Sequence, residues 1–256
     1  MTVIAVISMK GGVGKTTVTS NLSATLTRFG QRVLVIDLDP QNALRLHCGI
    51  PVHETGGIGR DTLQGVSWEN LDFRSPGGVQ VLPFGVVSDE ECMVIERHLV
   101  EHPGWLGDNL ANLGLDEDIV ILLDTPPGPS VYLQQALSIA DIVLVVLLTD
   151  AGSYAVLPAT ETLLKHYGAF RRGFLGSYYV LNQVDASRTL SRDVMEVVRH
   201  DLGARLMPFP IHRDEAVSES LAYQKPVLDY DRYAQASQDF EQFAKWLIQK
   251  LKDKTA

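Results

Sequence analysis

Apolar residues gather along this chain into short unbroken runs, and between the runs they recur at helical spacing. Val3–Ile7, Gln31–Asp37, Val79–Pro83, Asp118–Asp124, Ile142–Leu148 and Gly173–Leu181 are the strand-like runs. Stretches of Val, Ile and Leu without polar alternation suit strands buried on both faces, as in a parallel sheet covered by helices. Val18–Leu26, Ser88–Val100, Tyr154–Tyr167, Arg188–Gly203 and Tyr233–Lys252 read as helices, the second opened by Ser88 as an N-cap. The alternation predicts an α/β fold in three layers, with a mostly parallel twisted sheet between helices and residues 1–256 forming one domain. Residues 49–78 interrupt it with Gly49, Pro51, Gly56, Gly57, Gly59, Gly65, Pro76, Gly77 and Gly78. A short helix is expected there near Ile58–Gly65, and the exposed loops suit partner recognition better than chemistry.

Phe240, Phe243, Ala244, Leu247 and Leu251 share one face of the C-terminal helix, with Lys245, Lys250 and Lys252 off it. Such a helix fits either docking on the domain or weak peripheral contact with an anionic membrane. Asp239, Glu241 and Asp253 dilute the basic face that a membrane requires, which favours docking.

Composition narrows the class. With 45% hydrophobic and 21% charged residues, the chain reads as globular with a sizeable core. No apolar stretch approaches the ~18 residues of a membrane span, and the N-terminus enters the first strand without a signal segment. Cys48 and Cys92 lack metal-site spacing, so the expected location is the cytoplasm, with recruitment to a pole or the inner membrane left to partners. A net charge of −9 argues against a protein that coats DNA.

The chemistry is concentrated in Lys10-Gly11-Gly12-Val13-Gly14-Lys15-Thr16-Thr17, between the first strand and the first helix. A glycine-rich turn in that position lets successive backbone N–H groups close on a polyphosphate, facing the positive end of the helix. Gly11, Gly12, Val13, Gly14, Lys15, Thr16 and Thr17 are therefore the expected phosphate cradle. Lys15 would reach the β- and γ-phosphates, and Thr16 would ligate Mg²⁺. The apolar run ending in Asp124 is a Walker B-type strand whose acid acts on the Mg²⁺ shell. In the following Thr125-Pro126-Pro127-Gly128 turn, Gly128 would let the backbone approach the γ-phosphate.

The loop carries Met9 where the common pattern has glycine, and a second lysine, Lys10, at its head. This is the deviant Walker A form, and the chain resembles the ParA/MinD ATPases. The resemblance implies that ATP and Mg²⁺ are bound at the interface of a homodimer. Lys10 would reach across to the nucleotide of the other subunit, with Lys10, Lys15 and Asp39 as the catalytic set. Asp37-Leu38-Asp39-Pro40-Gln41 is a second hallmark of the group: Asp37 would act near Mg²⁺ through water, and Asp39 would position the attacking water. An asparagine at the end of the sixth run, Asn182, would read the adenine edge, although asparagine there also suits a plain turn. Leu206–Pro210 resembles the last strand and its adenine-flanking loop, which adds Pro210 and Ile211 to the base contacts.

A narrower resemblance rests on three runs: Ile211-His212-Arg213-Asp214-Glu215-Ala216 with its continuation to Lys225-Pro226-Val227, Asn42–Leu46, and Leu82–Gly85. They are similar to the BcsQ family of bacterial cellulose-synthesis operons. That family's phosphate loop can be degenerate, whereas this chain retains both lysines and both aspartates, which implies competence to hydrolyse ATP. The implied function is a dimerising ATPase switch that localises or assembles the cellulose synthase machinery, with cellulose-synthase regulatory subunits as partners. The alternative is a partition ATPase that binds nucleoid DNA. Arg188, Arg192 and Arg199 would serve it, but Asp193, Glu196 and Asp201 are interleaved with them, as on an ordinary surface. An iron–sulfur electron donor of similar loop would need cysteines beyond the Walker B region, and there are none after Cys92. A scaffold that binds ATP without turnover is the remaining option.

Overall fold

In the computed structural model, which describes residues 1–71, 73–75, 77–167 and 173–253, the apolar runs become strands of one sheet. They are β1 (Thr2–Ile7), β2 (Val33–Asp37), β3 (Phe73–Arg74), β4 (Gln80–Leu82), β5 (Val120–Asp124), β6 (Ile142–Leu148) and β7 (Gly176–Asn182). Their order is β3-β4-β2-β5-β1-β6-β7, parallel throughout except for the edge pair β3–β4. The helices are α1 (Lys15–Arg28), α2 (Leu44–His47), α3 (Ile58–Gln64), α4 (Asp89–Glu101), α5 (Trp105–Asn112) and α6 (Val131–Ile139). They continue as α7 (Ala151–Ala155), α8 (Leu157–Tyr167), α9 (Thr189–Leu202), α10 (Glu215–Ala222), α11 (Val227–Tyr230) and α12 (Gln235–Asp253).

Successive residues of a strand point to opposite faces, so each buried strand feeds two cores. Ala5 and Ile7 join Ile36, Leu123 and the inward residues of α4, α5 and α6 on one face. Ile4 and Val6 join Val35, Leu122, the Val18–Leu22–Leu26 stripe of α1 and the aromatic stripe of α12 on the other. Each such side chain taken fully out of water contributes roughly 1.5–3 kcal/mol before the entropy of ordering it is deducted. Phe240, Phe243, Ala244 and Leu247 are all buried, so the C-terminal helix is docked on the domain. Ser88 caps α4 as expected, in a capping box with Glu91. Among the described residues, no helix is long and apolar enough to cross a membrane.

The segment 206–210 is not a strand. Tyr179 and Leu206, and then Val184 and His212, meet only as isolated bridges beside β7. Met207 and Ile211 still donate to Tyr179 and Leu181, but Pro208 and Pro210 carry no N–H and so break the ladder between them. The helices α2, α5, α6, α10 and α11 and the antiparallel edge strand β3 are additions to what the sequence predicts.

β1 lies between β5 and β6, so the chain leaves it at the point where the connections diverge to the two sides of the sheet. A crevice outside the carboxyl ends of the strands at such a point is where open α/β sheets hold ligands.

Candidate functional site

The loop from β1 to α1 is glycine-rich because its backbone turns left-handed twice, at Gly12 (φ 73°) and Gly14 (φ 88°). Gly14 is held by packing as well: a Cβ there would stand 2.5 Å from the Asn182 side-chain nitrogen. Gly14 ends the loop as the N-cap of α1 with no side-chain cap, and no acid lies in the first turn. The first N–H groups of this helix therefore face outward with their dipole uncompensated, which is an anion site in waiting.

Lys15 begins α1 and is buried at 7% exposure. Burial lowers its pKa, while the negative charges of Asp124 and Asp39 pull it back upward. Thr16 follows, and its hydroxyl favours the ionised form of Asp124. One turn on, the Thr19 hydroxyl reaches Asp124 Oδ1 at 3.3 Å.

The two acids at the strand ends meet by register. Asp37 of β2 and Asp124 of β5 are direct partners across parallel strands, and both are fully enclosed. Asp37 accepts hydrogen bonds from the Asp39 N–H at 3.0 Å and the Leu44 N–H at 3.2 Å, which orient the D-x-D turn. Burial raises its pKa well above the ordinary carboxylate range, and the neighbouring Asp124 charge raises it further. Asp124 is pushed up to about 6, first by burial, against the pull of Thr16 and Lys15. Its Oδ2 is buried without a hydrogen-bond partner. A buried carboxylate oxygen left open beside a lysine and two hydroxyls calls for a further cationic or protic partner.

Asp39 is half-buried and accepts the Gln41 N–H at 3.0 Å, the geometry of an Asx turn, and it faces the same space as Lys15 and Asp124. The Thr125–Gly128 turn is pinned beneath the glycine loop by Gly128 N–H donating to Ser8 O at 2.9 Å, and Thr125 is tied to Val6 O at 2.9 Å. Gly11 lies over Pro127.

Lys10 stands apart from this cluster. Its ammonium is 2.6 Å from Asp150 Oδ2, and both side chains are about one-third exposed (35% and 36%). Asp150 also caps α7 by accepting the Ser153 N–H at 2.7 Å. The sequence reading missed this partner, although an acid just after the apolar run of β6 is the same signal that singled out Asp124.

A cavity of about 360 Å³ opens from Thr17 past Asn182 to Ile211 and α10. Asn182 donates one side-chain N–H to Val13 O at 2.8 Å and so ties β7 to the phosphate loop. Ile211 is buried, and both its main-chain groups are engaged within the chain: its N–H with Leu181 O and its carbonyl with Val184 N–H. It offers the cavity its side chain. Pro210 precedes it on the same loop. His212 and Asp239, which the sequence reading did not select, complete this end: Asp239 Oδ2 accepts the His212 N–H at 2.8 Å and lies 2.9 Å from His212 Nδ1.

The family model described as cellulose biosynthesis protein BcsQ matches residues 1–248. The cellulose biosynthesis protein BcsQ of Escherichia coli strain K12 is 30% identical over 256 residues, covering 97% of this chain and 94% of the relative. The chromosome partitioning protein ParA of Caulobacter vibrioides strain NA1000 is 29% identical over 271 residues, covering 99% and 96%. Among solved structures, cobyrinic acid a,c-diamide synthase from Mycobacterium smegmatis, with a bound ATP analogue and magnesium, superimposes with a TM-score of 0.77 at 26% identity, covering 98% of this chain and 96% of that one.

Proposed function

The chain belongs to the BcsQ family of cellulose biosynthesis proteins, and from that membership we propose that it is an ATP-hydrolysing switch whose nucleotide-bound dimer localises or assembles the cellulose synthase machinery. The observation that carries the reading is the juxtaposition of a bare helix N-terminus, a buried lysine and a buried carboxylate oxygen without a partner. A polyphosphate with a divalent cation supplies what each of the three lacks.

The donor set fits Mg²⁺. Thr16 and Asp124 offer hard oxygen donors, and among the described residues no group of three or more metal-binding side chains exists, which suits an ion that retains several waters. Thr16 would hold the ion directly, with Asp124 and Asp37 acting on its waters. When bound, Mg²⁺ neutralises charge on the phosphates as it develops.

The chain's own residues supply the rest. Gly11–Thr17 cradle the phosphates with main-chain N–H groups, and Lys15 places its buried charge on them. Asp39, half-exposed on its turn, orients the attacking water in line with the γ-phosphate. Lys10 must leave Asp150 to cross to the nucleotide of a second copy, where it stabilises the transition state as an arginine finger does. Dimerisation and ATP binding are then thermodynamically linked. Cellulose-synthase regulatory subunits read the dimer.

Light scattering with Mg²⁺-ATP tests the switch. Wild type should dimerise and hydrolyse; Lys10→Ala should bind ATP yet do neither; Asp39→Ala should hold ATP and accumulate as dimer. If Lys10→Ala dimerises like wild type, the sandwich mechanism falls. For the cellular role, cellulose synthase subunits should co-purify with Asp39→Ala and not with Lys15→Ala, and equal recovery by both would remove the nucleotide from partner choice.

A further inference from the structure

The cavity beyond Thr17 has an unusual polar inventory at its far end. The loop that closes it, residues 210–213, has no free main-chain donor: the N–H of Ile211 goes to Leu181 O, that of His212 to Asp239, that of Arg213 to Val184 O, and Pro210 has none. The Asn182 side-chain nitrogen is bound to Val13 O. Beside the hydroxyls and amide of Thr17, Ser218 and Gln183, which also line the cavity, two side-chain acceptors stand next to this loop. One is Asn182 Oδ1. The other is His212 Nε2, because a carboxylate oxygen can only accept, so Nδ1 carries the proton and in the neutral ring the lone pair lies on Nε2.

Asp239 is built to fix that arrangement. It sits on α12, with its side chain 4% exposed against 34% for His212, and its second oxygen accepts from Gln235 Nε2 at 2.9 Å. The imidazole is thus held at its Nδ1 by a buried acid, and His212 is among the residues that line the cavity. The cationic Arg213 also borders the cavity, but it is 62% exposed, and its guanidinium lies 3.9 Å from Glu215. Two side-chain acceptors set side by side, Asn182 Oδ1 and His212 Nε2, favour a base edge that donates. Adenine presents an exocyclic amino group there; hypoxanthine and guanine present a carbonyl oxygen, which would meet lone pairs.

We propose that His212, held in one tautomer by Asp239, reads the 6-amino group of the bound adenine and sets the preference for ATP over 6-oxopurine nucleotides. His212 is the specificity-determining residue and Asp239 its positioning residue. The inference rests on the nucleotide reading of the site made above, and it assigns the base preference to a residue pair outside the phosphate loop.

Calorimetry with Mg²⁺ and three nucleotides tests it: ATP, purine riboside triphosphate, which has only hydrogen at position 6, and inosine triphosphate, which has oxygen there. Wild type should bind ATP about 3- to 10-fold more tightly than purine riboside triphosphate, the range of one hydrogen bond, and bind inosine triphosphate more weakly still. His212→Phe retains a flat ring for stacking but loses the acceptor. It should bind purine riboside triphosphate as wild type does and lose the preference for ATP. Asp239→Ala should shrink the same ratio, which a merely structural loss of affinity would leave unchanged. Wild type binding all three equally, or His212→Phe keeping the wild-type ratios, overturns the assignment while the nucleotide site stands. Wild type binding none of the three removes the nucleotide reading, and the assignment with it.

Discussion

The two ends of the candidate nucleotide site are built in opposite ways. The phosphate end comes from one contiguous loop and two strand ends that parallel register sets side by side, Asp37 against Asp124. Its polar groups are buried and left in tension: burial lowers the Lys15 pKa and raises those of both acids. The base end is assembled from β7, the 206–213 segment and α12, and the main-chain N–H groups of Ile211, His212 and Arg213 there are already engaged. The first end stores unmet demand for a ligand, and the second is a finished surface that presents a few fixed atoms. Binding energy is therefore expected to concentrate at the phosphates, with discrimination at the base. Substitutions should divide along the same line.

The largest effect should come from Lys15→Ala. The phosphates lose a buried counter-charge that no other side chain can replace, and charge-assisted contacts of this kind contribute about 3 kcal/mol, or roughly 100-fold in affinity. Calorimetry with Mg²⁺-ATP measures it directly. Retained affinity would mean that the glycine loop binds no phosphate, and the contrast between the two ends would vanish.

Asp124→Asn sharpens the contrast from the other side, because it should stabilise the empty protein. The carboxyl is held at about 6 in the folded chain against an ordinary value of 3.8. Between those values the folded chain keeps a proton that the unfolded chain has lost. Stability falls as pH rises through that window and levels off above it. The asparagine variant should lack this fall and gain roughly 1–3 kcal/mol at neutral pH, read as a higher denaturation midpoint. Its response to Mg²⁺ with nucleotide should disappear at the same time. A variant less stable than wild type at pH 7.5 would show that Asp124 is satisfied as a charge before any ligand arrives.

The same contrast explains what was legible in the sequence. A glycine loop between an apolar run and a helix is local information, and Asp37 and Asp124 are marked by the strands they end. The main sheet strands and the docked face of α12 were readable for the same reason: periodicity is recorded in consecutive residues. The helix α6 was not, since Tyr132, Leu133, Gln135, Ala136 and Leu137 are all buried and the polar face, Gln134 and Ser138, is too narrow to offer much contrast. β3 is two residues long and is recruited by its neighbour. Lys10 with Asp150, and His212 with Asp239, pair across 140 and 27 positions, so neither spacing nor composition announces them.

The smallest predicted effect concerns the Lys10–Asp150 pair, which links the phosphate loop to the N-terminus of α7. Both side chains are about one-third exposed, at 35% and 36%, so the ion pair is screened and contributes under about 1 kcal/mol despite its 2.6 Å separation. It is therefore a weak latch on a lysine that the proposed dimer needs elsewhere. Asp150→Asn is the informative change, because the amide oxygen can still accept the Ser153 N–H that Asp150 Oδ1 holds at 2.7 Å, and the cap of α7 survives. With the charge removed, Lys10 is released, and ATP-dependent dimerisation should tighten by roughly 2- to 5-fold, the scale of an exposed ion pair. Raising the salt concentration should narrow the gap between variant and wild type, since screening loosens the same latch. ATP affinity measured at concentrations too low for dimerisation should be unchanged. Sedimentation at several salt concentrations separates the outcomes. A variant that dimerises more weakly than wild type would place Asp150 in the interface itself, and Lys10 would then reach the second subunit with its partner and not without it.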